Sequence, residues 1–151
     1  MPELIVVDTS CLIALTRINH LLLLHQVYDS VIITPEIKQE FKFELPDWVE
    51  VRHTSSDEDL TVINSLVDLG EASAIKFCLK NKDSLLIIDD SKGRKLAKRL
   101  GIKVTGTLGV LAKAKRKGVI DSVKPYLGAL EKVDFRFDEK LRALILKSVG
   151  E

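Results

Sequence analysis

Three of the chain's uninterrupted apolar runs are at least half β-branched: Leu4-Ile5-Val6-Val7, Val31-Ile32-Ile33 and Leu85-Leu86-Ile87-Ile88. Runs of this length and β-branched content predict strands buried on both faces, as in the middle of a parallel sheet. Residues 102–105 form a further short strand, and the alternating stretch 48–52 suits an edge strand or an extended loop. Between these, apolar positions recur at helical spacing over residues 11–15, 18–27, 35–41, 72–79, 91–100, 108–117, 122–132 and 138–149. Another helix is expected from a Ser55-Ser56-Asp57 cap to about Val67. Thr34-Pro35 supplies an N-cap followed by proline at the first helical position, and Asp138 is a second cap. Gly70, Gly101 and Gly118 read as helix ends, with Glu71 opening the helix after Gly70. Strands alternating with helices predict an α/β fold, an open parallel sheet with helices on both faces. No segment repeats.

Length and composition set the frame for that pattern. At 151 residues, 46% hydrophobic and 30% charged, the chain is expected to form one domain over residues 1–151, with the helices of 122–151 packing on it. No apolar run approaches the roughly 20 residues a membrane helix requires. Asp8 interrupts the N-terminal run too early for a secretory signal. Cys11 and Cys78 lie among apolar neighbours and read as small core residues in a reducing, cytoplasmic setting.

The net charge of +1 hides an asymmetry. From Ser91 to Pro125 there are eleven Lys or Arg residues and one acid, a local charge of +10, while the remainder carries −9. One surface should attract polyanions and another should concentrate carboxylates.

Two of the buried strands end in acid, at Asp8 and at Asp89-Asp90. Parallel strands would bring these acids to one sheet edge, where ligands bind in folds of this class. Glu71, before the second of those strands, and Glu40, on the helix after the second strand, can reach the same edge. Singly, each acid has a plain structural reading as a turn residue, a helix cap or a solvated side chain. Together they would repel by about 4 kcal/mol per pair 4 Å apart at an effective dielectric near 20. A divalent cation relieves that repulsion, and an all-oxygen set selects a hard ion, Mg²⁺ or Mn²⁺. Strand alternation turns Asp89 and Asp90 in opposite directions, so one of the two is expected to face the ion, with Asp89 preferred.

The ordered set Val6-Val7-Asp8-Thr9-Ser10, Pro35-Glu36-Ile37-Lys38-Gln39-Glu40, Gly70-Glu71-Ala72 and Ile87-Ile88-Asp89-Asp90 resembles the PIN-domain nucleases, which include VapC-like toxin ribonucleases. The stretches Gly93-Arg94-Lys95-Leu96-Ala97 and Thr105-Gly106-Thr107-Leu108-Gly109 resemble one prokaryotic branch of that family. The resemblance covers essentially the whole chain. It implies flavodoxin-like strand order and a metal-dependent endoribonuclease cutting single-stranded RNA to a 5′-phosphate and a 3′-hydroxyl. By the same resemblance Asp8, Glu40, Glu71 and Asp89 are catalytic, and they hold Mg²⁺ or Mn²⁺ with either Asp89 or Asp90 as the last ligand. Thr9 and Ser10 support Asp8. Glu71 stands where related toxins often carry aspartate. Lys92, Arg94, Lys95 and Lys98 are the expected nucleic-acid contacts, with Arg99, Lys113, Lys115, Arg116 and Lys117 extending the track. A small antitoxin protein and a homodimer are the partners it implies.

Other classes fit less well. A nucleic-acid-binding or regulatory protein that holds metal weakly and cuts nothing shares the same residues. A phospho-accepting receiver groups its acidic pair near the first strand, whereas here the pair follows a late one. A dinucleotide-binding fold needs a glycine-rich first turn, which Asp8-Thr9-Ser10 replaces.

Overall fold

The computed structural model describes residues 3–53 and 62–151. The expected cap at Ser55-Ser56-Asp57 lies outside them. Five parallel strands form the sheet: β1 (Leu4–Val7), β2 (Val31–Ile33), β3 (Val49–Val51), β4 (Ser84–Ile87) and β5 (Lys103–Thr105). They lie in the order β3-β2-β1-β4-β5. The open α/β architecture is as expected, and its order differs from that of a flavodoxin in carrying β3 outside β2 and, among the described residues, no strand beyond β5. The residues of 48–52 fold as the edge strand β3, parallel to β2 with Val31 opposite Val49 and Ile33 opposite Val51. Without this outer strand, β2-β1-β4-β5 retains the flavodoxin-like sequence. The order reverses between β1 and β4, and at such a switch point the crevice beyond the strand ends is open to a ligand.

The helices are α1 (Thr9–Arg17), α2 (Leu22–Tyr28), α3 (Pro35–Glu40), α4 (Ile63–Leu66), α5 (Leu69–Lys80), α6 (Ser91–Arg99), α7 (Thr107–Arg116), α8 (Lys124–Lys132) and α9 (Glu139–Ser148). Helices α5 and α6 pack together in one layer, and α7 packs on α2 and α9 in the other. Short α3 touches both α1 and α5, lying across the carboxyl edge of the sheet. The Thr34 hydroxyl starts it by accepting the Ile37 amide at 3.2 Å, as the Thr34-Pro35 pair predicts. The same oxygen lies 2.6 Å from Ser73 Oγ of α5, so one buried hydroxyl fixes both the start and the tilt of α3.

The core is the meeting of the apolar runs. Val6, Val7, Leu86, Ile87 and Ile88 are all fully buried, each contributing roughly 1.5–3 kcal/mol relative to exposure. Cys11 and Cys78 are free and buried in it. Val7 sits opposite Ile87, and Ile87 opposite Thr105. The residues that follow each strand are therefore level at one edge. Among the described residues, no helix is long and apolar enough to cross a membrane.

Candidate metal centre

Asp8 follows β1 directly, and its amide extends the ladder by donating to the Ile87 carbonyl at 2.9 Å. It is 3% exposed. Although it occupies the N-cap position of α1, its side chain makes no capping bond to the deeper amides of that helix. Burial pushes its carboxyl up to about 7, opposed by the Thr9 amide and reinforced by the charges of Asp68, Glu40 and Asp89. Asp8 is thus the point on which the other acids act.

Each of three further carboxylates is seated by its own hydrogen-bond partner. Glu40, the last residue of α3, accepts the Thr9 hydroxyl on Oε1 at 2.9 Å. Glu71 lies in the first turn of α5, where its amide donates to Asp68 Oδ1 at 2.9 Å and its own carboxylate reaches back to the Asp68 amide. This is a capping box. Glu71 is buried, and burial together with Asp8, Asp68 and Asp90 pushes it up to about 8. Asp89 accepts both the amide and the hydroxyl of Thr107, at 2.8 and 2.6 Å. Burial raises it, while Thr107 and the nearby Arg94 charge oppose the rise.

Glycines make these approaches possible. A Cβ at Gly70 would overlap the Glu40 carboxylate. One at Gly93 would lie 3.2 Å from Glu71 Oε2, and one at Gly106 would lie 2.7 Å from Asp89 Oδ1. In each case a neighbouring helix start comes within contact of an acid because no side chain intervenes. Gly70 is accordingly not a helix end. It lies inside α5, which starts two residues earlier than the sequence suggests, from the Asp68 cap.

The late acidic pair divides its work. Asp89 accepts from Thr107 and adds its charge to Asp8, and Asp90, though exposed and capping α6 by accepting the Gly93 amide at 2.9 Å, adds its charge to Glu71. Ser10 is exposed in the first turn of α1. Two contributors escape the sequence pattern: Asp68, legible as the first member of an Asp-x-x-Glu capping box, and Thr107, which has no comparable local signal.

The basic tract splits in two. Arg94 donates to the Ile88 carbonyl at 3.1 Å and braces the turn that carries Asp89. Lys92, Lys95 and Lys98 are exposed on α6. The α7 cations lie at the other end of the sheet. Lys113 sits over the Tyr28 ring, Lys115 pairs with Glu151 at 3.0 Å, and Lys117 donates to the Val27 carbonyl. Helix α7 begins at the carboxyl edge, and ten residues carry it about 15 Å away. These residues brace α2 and the chain end; they do not extend a track along the acids.

The donor chemistry fits a hard divalent cation. The seated groups are all carboxylates, Glu40 and Asp89 raise the proton affinity of Asp8 and Asp8 raises that of Glu71, and glycine cradles leave them room. Among the described residues, however, no three acids, histidines or cysteines are drawn together as a finished metal cage. Glu40, Glu71 and Asp89 are instead held by Thr9, Asp68 and Thr107 around Asp8. A family model described as a PIN domain matches residues 4–151.

The chain belongs to the PIN-domain family. PIN domains are in general nucleases, and the parallel sheet with acids at its carboxyl edge is the nuclease-type fold of that family. Comparison with curated proteins and with solved structures gives no match. In this PIN domain Asp8, Glu40, Glu71 and Asp89 are each brought to the same edge by a different element.

Proposed function

We propose that this PIN domain is a Mg²⁺- or Mn²⁺-dependent endoribonuclease that hydrolyses phosphodiester bonds of single-stranded RNA. The observation that carries the reading is electrostatic. Asp8 is buried, and the charges of Asp68, Glu40 and Asp89 all raise its proton affinity. An arrangement so unfavourable to its own ionisation is relieved by a divalent cation held by Asp8, Glu40, Glu71 and Asp89. Such an ion supplies charge neutralisation at the scissile phosphate and lowers the pKa of water. Thr9 orients Glu40, Thr107 orients Asp89 and Asp68 orients Glu71, so the protein's own contribution is to fix the acids before substrate arrives. In the metal-free chain Asp8 and Glu71 retain protons near neutrality, and these must leave before the carboxylates can serve as ligands.

The test is cleavage of an end-labelled single-stranded RNA by wild type and by Asp8→Asn, with Mg²⁺ or Mn²⁺ and with excess EDTA. Cleavage should require the metal and vanish in the variant. Full activity in Asp8→Asn, or in EDTA, ends the proposal. A toxin role, a homodimer and a cytoplasmic address extend it. A neighbouring reading frame encoding a small protein with a DNA-binding half, able to silence the cleavage, would support the toxin role.

One observation favours a second reading, a PIN domain that binds nucleic acid and cuts nothing: no finished metal cage exists among the described residues. RNA binding that persists in Asp8→Asn, with no wild-type turnover in either metal, would select it.

A further inference from the structure

A groove of about 420 Å³ opens directly from Asp89, within the size range of small-ligand clefts. One wall is a single face of α6, where Ser91, Arg94, Lys95 and Lys98 follow at helical spacing. The other wall is the α8–α9 connection, which presents Phe135, Arg136 and Phe137. The two phenylalanine rings lie 6.3 Å apart between centroids, tilted by 41°. Both are half-buried, packed at their backs on the core, so each is a fixed surface, while Arg136 between them is exposed. Phe135 also lines a cleft with Ser10 and Ile13 of α1. The connection therefore spans from the helix that follows Asp8 to the helix that follows Asp89.

Charge in the groove favours an anion. Two carboxylates enter it, Asp89, which accepts from Thr107, and Asp138, which accepts the Leu141 amide at 2.7 Å, and both keep their charge. Against them stand Arg94, Lys95, Lys98 and Arg136. Cations that follow a backbone, beside rigid aromatic faces that accept a flat ring, form the recognition surface for a single strand with unpaired bases. A duplex keeps its bases stacked inside and offers nothing to Phe135 or Phe137.

We infer that this groove is a base-binding subsite for single-stranded RNA, in which Phe137 and Phe135 stack a base flanking the phosphate at the acids while Lys95, Lys98 and Arg136 hold the adjoining backbone. The inference rests on the proposed ribonuclease reading for its substrate, but it predicts binding, which can be measured without turnover.

The experiment is fluorescence anisotropy of a labelled single-stranded oligoribonucleotide with the full chain in EDTA, across a salt series. Phe137→Leu should weaken binding roughly five- to tenfold, with its salt dependence unchanged, and Phe137→Tyr should restore it. Lys95→Gln with Lys98→Gln should flatten the logarithmic salt slope by roughly 0.7 for each phosphate that the protein ceases to neutralise. Lys82→Gln, between α5 and β4, should bind as wild type, and duplex RNA should not respond to Phe137→Leu. Wild-type affinity in Phe137→Leu overturns the inference, as does an equal weakening for duplex. It is also overturned if Phe137→Leu dissolves a dimer while RNA binding stays constant, because the groove is then an interface between copies. A wild type that shows this binding pattern but no metal-dependent cleavage would remove the ribonuclease reading and leave the subsite. Cleavage with an indifferent Phe137→Leu would do the reverse.

Discussion

The Glu40 carboxylate occupies the space in which a side chain on Gly70 would begin. Glu40 ends α3 and Gly70 lies in the first turn of α5, so the two helices meet at the acid itself. Gly70→Ala should therefore separate stability from function. Alanine gains up to about 1 kcal/mol over glycine within a helix, and the group it displaces is the end of a flexible side chain. Displacing that group breaks the bond from Thr9. The expected result is a thermal midpoint at or above wild type, with metal-dependent cleavage reduced roughly ten- to a hundredfold, the usual cost of losing a group that orients a metal ligand. A lower midpoint with cleavage intact would contradict this use of the glycine.

The two late aspartates should respond oppositely. Asp90 caps α6, so Asp90→Ala should cost about 1 kcal/mol in chemical denaturation and leave most of the cleavage. Asp89→Asn keeps the shape but loses the charge beside Asp8, and should abolish cleavage with little change in fold. Thr107→Val, which removes the hydroxyl at 2.6 Å and keeps the amide, should fall between them. Cleavage absent in Asp90→Ala and kept in Asp89→Asn would reverse the assignment.

These sites also show what is legible in the chain. The strands that carry Asp8 and Asp89 are readable because their apolar runs are at least half β-branched, unlike Leu21–Leu24, which leads into α2 with Leu22 exposed, and the acids that follow mark the edge. The start of α5 is hidden because glycine ordinarily breaks a helix, and here it is tolerated where Glu40 needs its space. The residue that violates the local rule marks the site. A count of charges merges Lys92 to Lys117 into one tract, but α6 and α7 both run away from the acids, and only the α6 face stays near them. Phe135 and Phe137 carry no local signal, because their partners on α6 lie some forty residues earlier and meet them only in the folded chain.

Glu151, after α9, ties that helix to the start of α8 and to α7. Its carboxylate accepts the Ser122 hydroxyl at 2.6 Å, the Val123 amide at 2.7 Å and the Lys124 amide at 3.2 Å, and it pairs with Lys115. The Ser122 and Val123 bonds lead in holding its acid down to about 2, below its ordinary 4.5. A depressed acid stabilises the fold above its unfolded value and loses that contribution as pH falls through the folded one. Glu151→Gln should lower the thermal midpoint near neutrality, and the gap from wild type should narrow steadily from about pH 4.5 towards 2. A gap independent of pH over that interval would mean the charge contributes nothing.

Asp8 and Glu71 carry the opposite sign. Their folded values, about 7 and about 8, lie above the ordinary 3.8 and 4.5. Through that interval the metal-free folded chain holds protons that the unfolded chain has released. The stability these two groups contribute is therefore complete below about pH 4 and is lost as pH rises through 7 and 8. A cation at the same carboxylates competes with those protons, so its affinity should climb over the same interval and level off above about pH 8. Thermal midpoints taken in EDTA from about pH 5.5 to 8.5 should fall, and those taken in Mn²⁺ should fall less, so that the metal-induced shift grows with pH. Asp8→Asn removes one of the two titrations and should flatten the EDTA series and shrink the shift. An EDTA series that stays flat or rises with pH would show that Asp8 and Glu71 ionise freely in the fold, and would remove the electrostatic reason for a cation among these acids.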